Sequence, residues 1–227
     1  MNKFYPLLLL FICLVVANPT TQAQAIVDYY KLLADYDDDI KMHRLSEENG
    51  QWYATANNSQ RVKIHVDEQN NFLELKDKEM GGIFTLQLSL YKKSNGETLI
   101  ALVKNHMDIF LHGEIHILKL RNGRWNDVTK EIMPSLTYKD FVEQTVSLAA
   151  SAFNPQLNHH LEFGYQLPHE KGTNASAQMQ TQILKEKCDS KDPSVSEYCD
   201  SLHEISYSTI DLKWNAKEGK FVVGQKS

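Results

Sequence analysis

Turn signals punctuate this chain and set the limits on what it can fold into. Asn49-Gly50, Asn70-Asn71, Gly81-Gly82, Asn95-Gly96 and Asn122-Gly123 separate short apolar runs. Two of those runs, RVKIHV (61–66) and TLQLSLY (85–91), alternate apolar and polar residues, and FLEL, LIALV and EIHILKL are short and β-friendly. Asn-Gly between alternating runs favours a tight hairpin, because both central residues must accept positive φ. The region from Lys41 to Pro134 therefore reads as an antiparallel meander. NGQW (49–52) and NGRW (122–125) echo one another, but four-residue frames recur easily among hairpins and the chain is too short for a full propeller.

Helical periodicity is confined to two places. Ile26, Tyr29, Tyr30, Leu33 and Ile40 fall near helical spacing, so a first amphipathic helix is expected. It should end near Asp35, since Asp37-Asp38-Asp39 would sit badly at a helix C-terminus, where the backbone dipole favours cations. After Pro134, Thr137 and Asp140 have capping-box spacing and Leu136 and Phe141 the hydrophobic-staple spacing. A buried stripe of Phe141, Thr145, Leu148, Ala149 and Ala152 would come next, stopped by Asn154-Pro155. The tail returns to strands in HLEFGYQL, ISYSTIDLKW and KFVVG, the last two flanking a hairpin at Asn215–Gly219. Thr173–Lys187 suits either a strand or a helix. The fold class expected is α+β, mostly antiparallel sheet, with an N-terminal helix and one helix after Pro134.

Residues 1–25 have the three parts of a secretory leader: Lys3, an apolar run from Phe4 to Ala17, and Ala23-Gln24-Ala25 as a small-x-small cleavage site. Cleavage is expected after Ala25, leaving residues 26–227 as one β-rich domain or as two lobes, 26–134 and 135–227. The leader's apolar run is short of the roughly 20 residues that span a bilayer, and Cys13 inside it lacks a lipoprotein context. No later segment is apolar enough to span, so the mature chain is expected to be soluble.

Apolar residues are 42% and charged residues 23% of the chain, proportions that suit a globular domain. Twenty-four basic residues face 29 acidic ones. With no basic stripe, the balance disfavours nucleic acid, whose binding rests on clustered cations. Cys188 and Cys199 remain after the leader, and an even count in an oxidising compartment suggests one disulfide. Closing such a loop contributes about 3 kcal/mol in the chain-entropy model. Their spacing is not CxxC, which argues against a redox pair.

HGEIH (112–116) raises the question of a metal. It is not the helical HExxH of zinc proteases. On a strand, His112, Glu114 and His116 share one face, but the outer pair stand about 13 Å apart. A zinc site would need a ligand from elsewhere, with His65, His106, His159 and His160 as the donors. A solvated polar sheet face is the simpler reading. DYDDD (35–39) begins like a calcium loop but has Ile40 where glycine and Ser46 where glutamate belong. Trp52, Trp125 and Trp214 lie beside hairpins and are expected to pack on the core, although exposed aromatics there could stack on sugars.

No GxSxG, SxxK, P-loop or GxGxxG is present. Asn57-Asn58-Ser59 and Asn174-Ala175-Ser176 match the glycosylation pattern. These readings lead to an exported, non-catalytic binding or envelope-associated module, with no cofactor, meeting a protein or glycan partner. The competing expectation is an exported metal-dependent hydrolase built on His112, Glu114 and His116.

Overall fold

A computed structural model describes residues 26–56, 60–78, 82–107, 111–143, 163–168, 174–179, 181–193, 196, 199 and 205–227. Two short helices, α1 (Ile26–Leu33) and α2 (Asp38–Met42), lead into eight strands: β1 (Arg44–Glu48), β2 (Gln51–Thr55), β3 (Arg61–Asp67), β4 (Phe72–Asp77), β5 (Ile83–Lys92), β6 (Thr98–Met107), β7 (Leu111–Arg121) and β8 (Arg124–Asp127). Each strand pairs antiparallel with the next, so the order in the sheet is the order in the sequence. Asn49-Gly50 and Asn122-Gly123 turn two of its hairpins with positive φ at both residues, the geometry a type I′ turn needs. The meander expected between Lys41 and Pro134 is what forms.

A second sheet has the order β12-β11-β10-β9. Its strands are β9 (Gly164–Gln166), β10 (Ala175–Gln178), β11 (Thr209–Asn215) and β12 (Lys220–Lys226). The ambiguous stretch resolves into both alternatives: β10, then α4 (Thr181–Asp189). Cys188 near the end of α4 is bonded to Cys199. Between the sheets in sequence lie α3 (Thr129–Ile132) and a 3-10 turn at Tyr138–Phe141.

Alternation along the central strands feeds two cores. On β6, Ile100 and Leu102 face one way, with Leu73, Leu86, Leu88 and Leu118, and are covered by Ile26, Tyr30 and Leu33 of α1. Leu99, Ala101 and Val103 face the other way, with Ile115 and Ile117, and pack on Ala177, Ile210, Leu212 and Phe221 of the second sheet. Burial on both faces is why LIALV is continuously apolar.

The sheets are also joined by polar side chains. Asn105 donates to the Tyr165 carbonyl at 2.6 Å and accepts from the Tyr165 N–H at 3.1 Å. Gln87 accepts from the Leu167 N–H at 2.9 Å and donates to Glu74 at 2.8 Å. Two amides rising from the large sheet thus bond the backbone of β9 and of Leu167 just after it, as a neighbouring strand would. Close approach here requires glycine: a Cβ on Gly113 would lie 2.4 Å from the Gly164 Cα.

One expectation about helices holds and one needs correction. The first helix ends at Leu33, near Asp35 as expected, and the acidic run starts α2. The Asp37 carboxylate accepts from the N–H groups of Asp39 and Ile40, both at 3.1 Å, so the aspartates occupy the helix end that favours them. After Pro134 the Asp140 carboxylate does accept from the Thr137 N–H at 2.8 Å. The segment this cap opens is a single 3-10 turn, because Val142 is already extended and bridges Ile205. The stripe from Thr145 to Ala152 lies outside the described residues. The three tryptophans are half-buried and engaged. Trp52 packs on the α1-covered core, Trp125 donates to the Leu32 carbonyl at 3.0 Å, and Trp214 donates to the Lys92 carbonyl at 3.1 Å.

Candidate functional site

Polar chemistry gathers at two places on the large sheet. The first is where α1 stops covering β6 and β7. Paired positions on that face run Ile100–Leu118, Leu102–His116, Lys104–Glu114 and His106–His112, passing from apolar to charged. The Lys104 ammonium lies 2.8 Å from Glu114, 3.0 Å from Asp37 and 3.1 Å from Asp39. The run DYDDD is thus an anchor for a cation 65 residues away. Partial burial of Lys104 would lower its pKa, but hydrogen bonds to the three carboxylates raise it instead. Burial acts to raise the Glu114 carboxyl, and Lys104 and His116 overcome that and hold it below the usual range.

His116 is similarly engaged. Its Nδ1 lies 2.8 Å from Asp127 and its Nε2 3.5 Å from Glu114. Asp127 also accepts from the Thr129 N–H at 2.8 Å. Desolvation tends to raise the Asp127 carboxyl, and these hydrogen bonds reverse the effect and lower it. HGEIH therefore forms part of β7, with its polar residues sharing a face as alternation demands. Glu114 turns to Lys104 and His116 to Asp127, and His112 lies opposite His106. Among the described residues no three His, Cys, Asp or Glu side chains group as a metal site. His159 and His160 lie outside those residues.

The second place is a fork between β2 and β3. Their pairing covers Tyr53–Lys63, Ala54–Val62 and Thr55–Arg61 and goes no further towards Gly50. Where the next rung would form, the Gln51 side-chain amide donates to both the Trp52 and Ile64 carbonyls at 3.2 Å. The strands part around a cleft of about 440 Å³ lined by Gly50–Trp52, Lys63–Val66, Glu74 and Lys76. Lys63 and His65 are exposed on the side opposite Ile64. Glu74 is buried and bonded on both oxygens, to Gln87 at 2.8 Å and Lys76 at 2.8 Å. At the closed end Arg61 stacks over Tyr53 at 4.1 Å and pairs with Glu48 at 3.0 Å. Sequence reading missed this cleft, because a fork depends on one glutamine replacing a rung and nothing in a strand-like run signals that.

No known family profile matches the chain, and no curated protein matches it in sequence. In fold it is similar to a domain of an uncharacterized protein from Porphyromonas gingivalis W83, with a TM-score of 0.56 and 11% identity over 88% of this chain and 100% of that one. At that identity the likeness concerns architecture alone.

Proposed function

We propose that the chain is exported, cleaved after Ala25, and acts outside the cytoplasm as a non-catalytic binding protein that holds a short saccharide in the fork between β2 and β3. The cleft carries this reading. It is open and lined by groups that donate and accept side by side: the Gln51 amide, strand backbone, His65, Lys63 and Lys76. Sugar hydroxyls need both kinds of partner, and Trp52 at the margin adds an apolar surface. The leader sequence supports export. So does the bonded pair Cys188–Cys199, a feature of oxidising compartments. Among the described residues no helix is long and apolar enough to cross a membrane.

Binding is measured by titrating purified chain, residues 26–227, with a panel of neutral and acidic oligosaccharides. Saturable binding that Gln51→Ala and Lys63→Ala each weaken at least fivefold is the expected result. No saturable binding across the panel, or binding that both variants leave intact, overturns the assignment. N-terminal sequencing of the chain recovered from its native host should begin at Ile26; an intact Met1 in the recovered protein removes the export step.

A further inference from the structure

His106 and His112 face one another directly across β6 and β7, two rungs beyond Lys104–Glu114 and on the same face. Side chains of directly opposed residues start about 4.5–5.5 Å apart at Cβ. Two imidazoles at that spacing can each reach one ion at about 2.0–2.1 Å. Both residues line a single cleft of about 310 Å³, together with Asp39 and Glu114. His112 is exposed and His106 half-buried, so an ion reaches the pair without opening the fold.

The Lys104–Glu114 rung supplies the field. One ammonium, Lys104, is met there by three carboxylates, Asp37, Asp39 and Glu114. The surplus is negative and lies two rungs, about 7 Å along the strand, from the imidazoles, within a Debye length of about 8 Å at physiological salt. It attracts a dication, to which the two imidazoles offer nitrogen ligands. Gly82 contributes room: a Cβ there would stand 3.3 Å from His106 Nε2.

We propose that His106 and His112 form a two-imidazole clamp for a divalent first-row transition metal, with water completing its coordination. Imidazole suits zinc, copper and nickel. The clamp differs from the triad His112, Glu114 and His116, because Lys104 and Asp127 hold the latter two. It also stands apart from the fork, on other strands.

The test uses full-length mature chain stripped with chelator and titrated separately with zinc chloride and copper(II) chloride. One ion per chain is expected. His106→Ala and His112→Ala should each weaken binding at least tenfold, and His116→Ala should change it less than twofold. Copper-loaded wild type should show two equatorial nitrogens by electron paramagnetic resonance, a readout that requires no variant to fold. The clamp is refuted by an absence of stoichiometric binding, by a copper spectrum without two nitrogens, or by His116→Ala weakening binding as much as His112→Ala.

Discussion

Lys104 and Asn105 are neighbours on β6 and point to opposite faces of the large sheet; Gly113 and Glu114 are their counterparts on β7. Asn105 and Gly113 meet the second sheet. There the polar group is neutral, buried and bonded to backbone in both senses, and the residue opposite has no side chain because Gly164 fills its place. Among the described residues Lys104 and Glu114 meet the N-terminal end of α2, His116 and solvent, and both keep their charge. The contrast comes from the material that covers each face. Against another backbone, a polar side chain must match fixed donors and acceptors, and losing it strands a buried group. Against water, charges rearrange and each pair contributes little. An ion can be accommodated on the second face without disturbing the first.

The largest effect should come from the pair that is most deeply buried on the charged face among the described residues. His43 is 2% and Asp77 4% exposed, with Nε2 3.5 Å from the carboxylate, while Nδ1 lies 2.7 Å from the Asp39 carbonyl. Asp77→Ala leaves Nε2 of that imidazole without its partner in the core and should destabilise by about 3 kcal/mol, the upper end of the cost of an unsatisfied buried polar group, read by urea denaturation. A loss below about 1 kcal/mol means the pair is not closed in solution. Gly113→Ala comes next, since overpacking at the sheet crossing costs about 1–3 kcal/mol. Asn105→Ala should cost about 1–3 kcal/mol by stranding the Tyr165 N–H and carbonyl. If Gly113→Ala is neutral, the sheets are not in close contact at that crossing.

Smaller effects belong to the exposed end of the ladder. Glu114→Gln, at that end, should change stability by less than about 1 kcal/mol, well below Asn105→Ala; equal losses would erase the contrast. The pH dependence has a definite sign. Glu114 and Asp127 have folded pKa values below their unfolded ones. Their contribution is therefore present above the unfolded carboxylate range and fades as pH falls through the folded values. Glu114→Gln and Asp127→Asn should lower the melting temperature near neutral pH and make progressively less difference as the medium is acidified through the carboxylate range. A gap that persists or widens in acid contradicts the arrangement.

Much of the large sheet was legible because hairpins are written locally. Asn49-Gly50 and Asn122-Gly123 carry their positive φ whatever surrounds them, and alternation in RVKIHV needs no partner to be seen. The capping box at Thr137 was equally visible, yet it opens only a 3-10 turn, since Val142 is drawn into an extended bridge with the distant Ile205. The charged ladder was half legible. Alternation alone placed His112, Glu114 and His116 on one face, but only tertiary packing brings Asp37 and Asp39 to Lys104. Spacing also left His106 as one donor among four, and register alone sets it opposite His112.

The strictly sequential order of β1 to β8 bears on how such a chain would assemble. Each new strand finds its neighbour as soon as it emerges, so closing each rung traps only a short loop. A chain threaded out of a pore with its N-terminus leading could lay down the whole large sheet while the rest is still in transit. The inter-sheet bonds of Asn105 and Gln87 span 60 and 80 residues and would close last, over a platform already built.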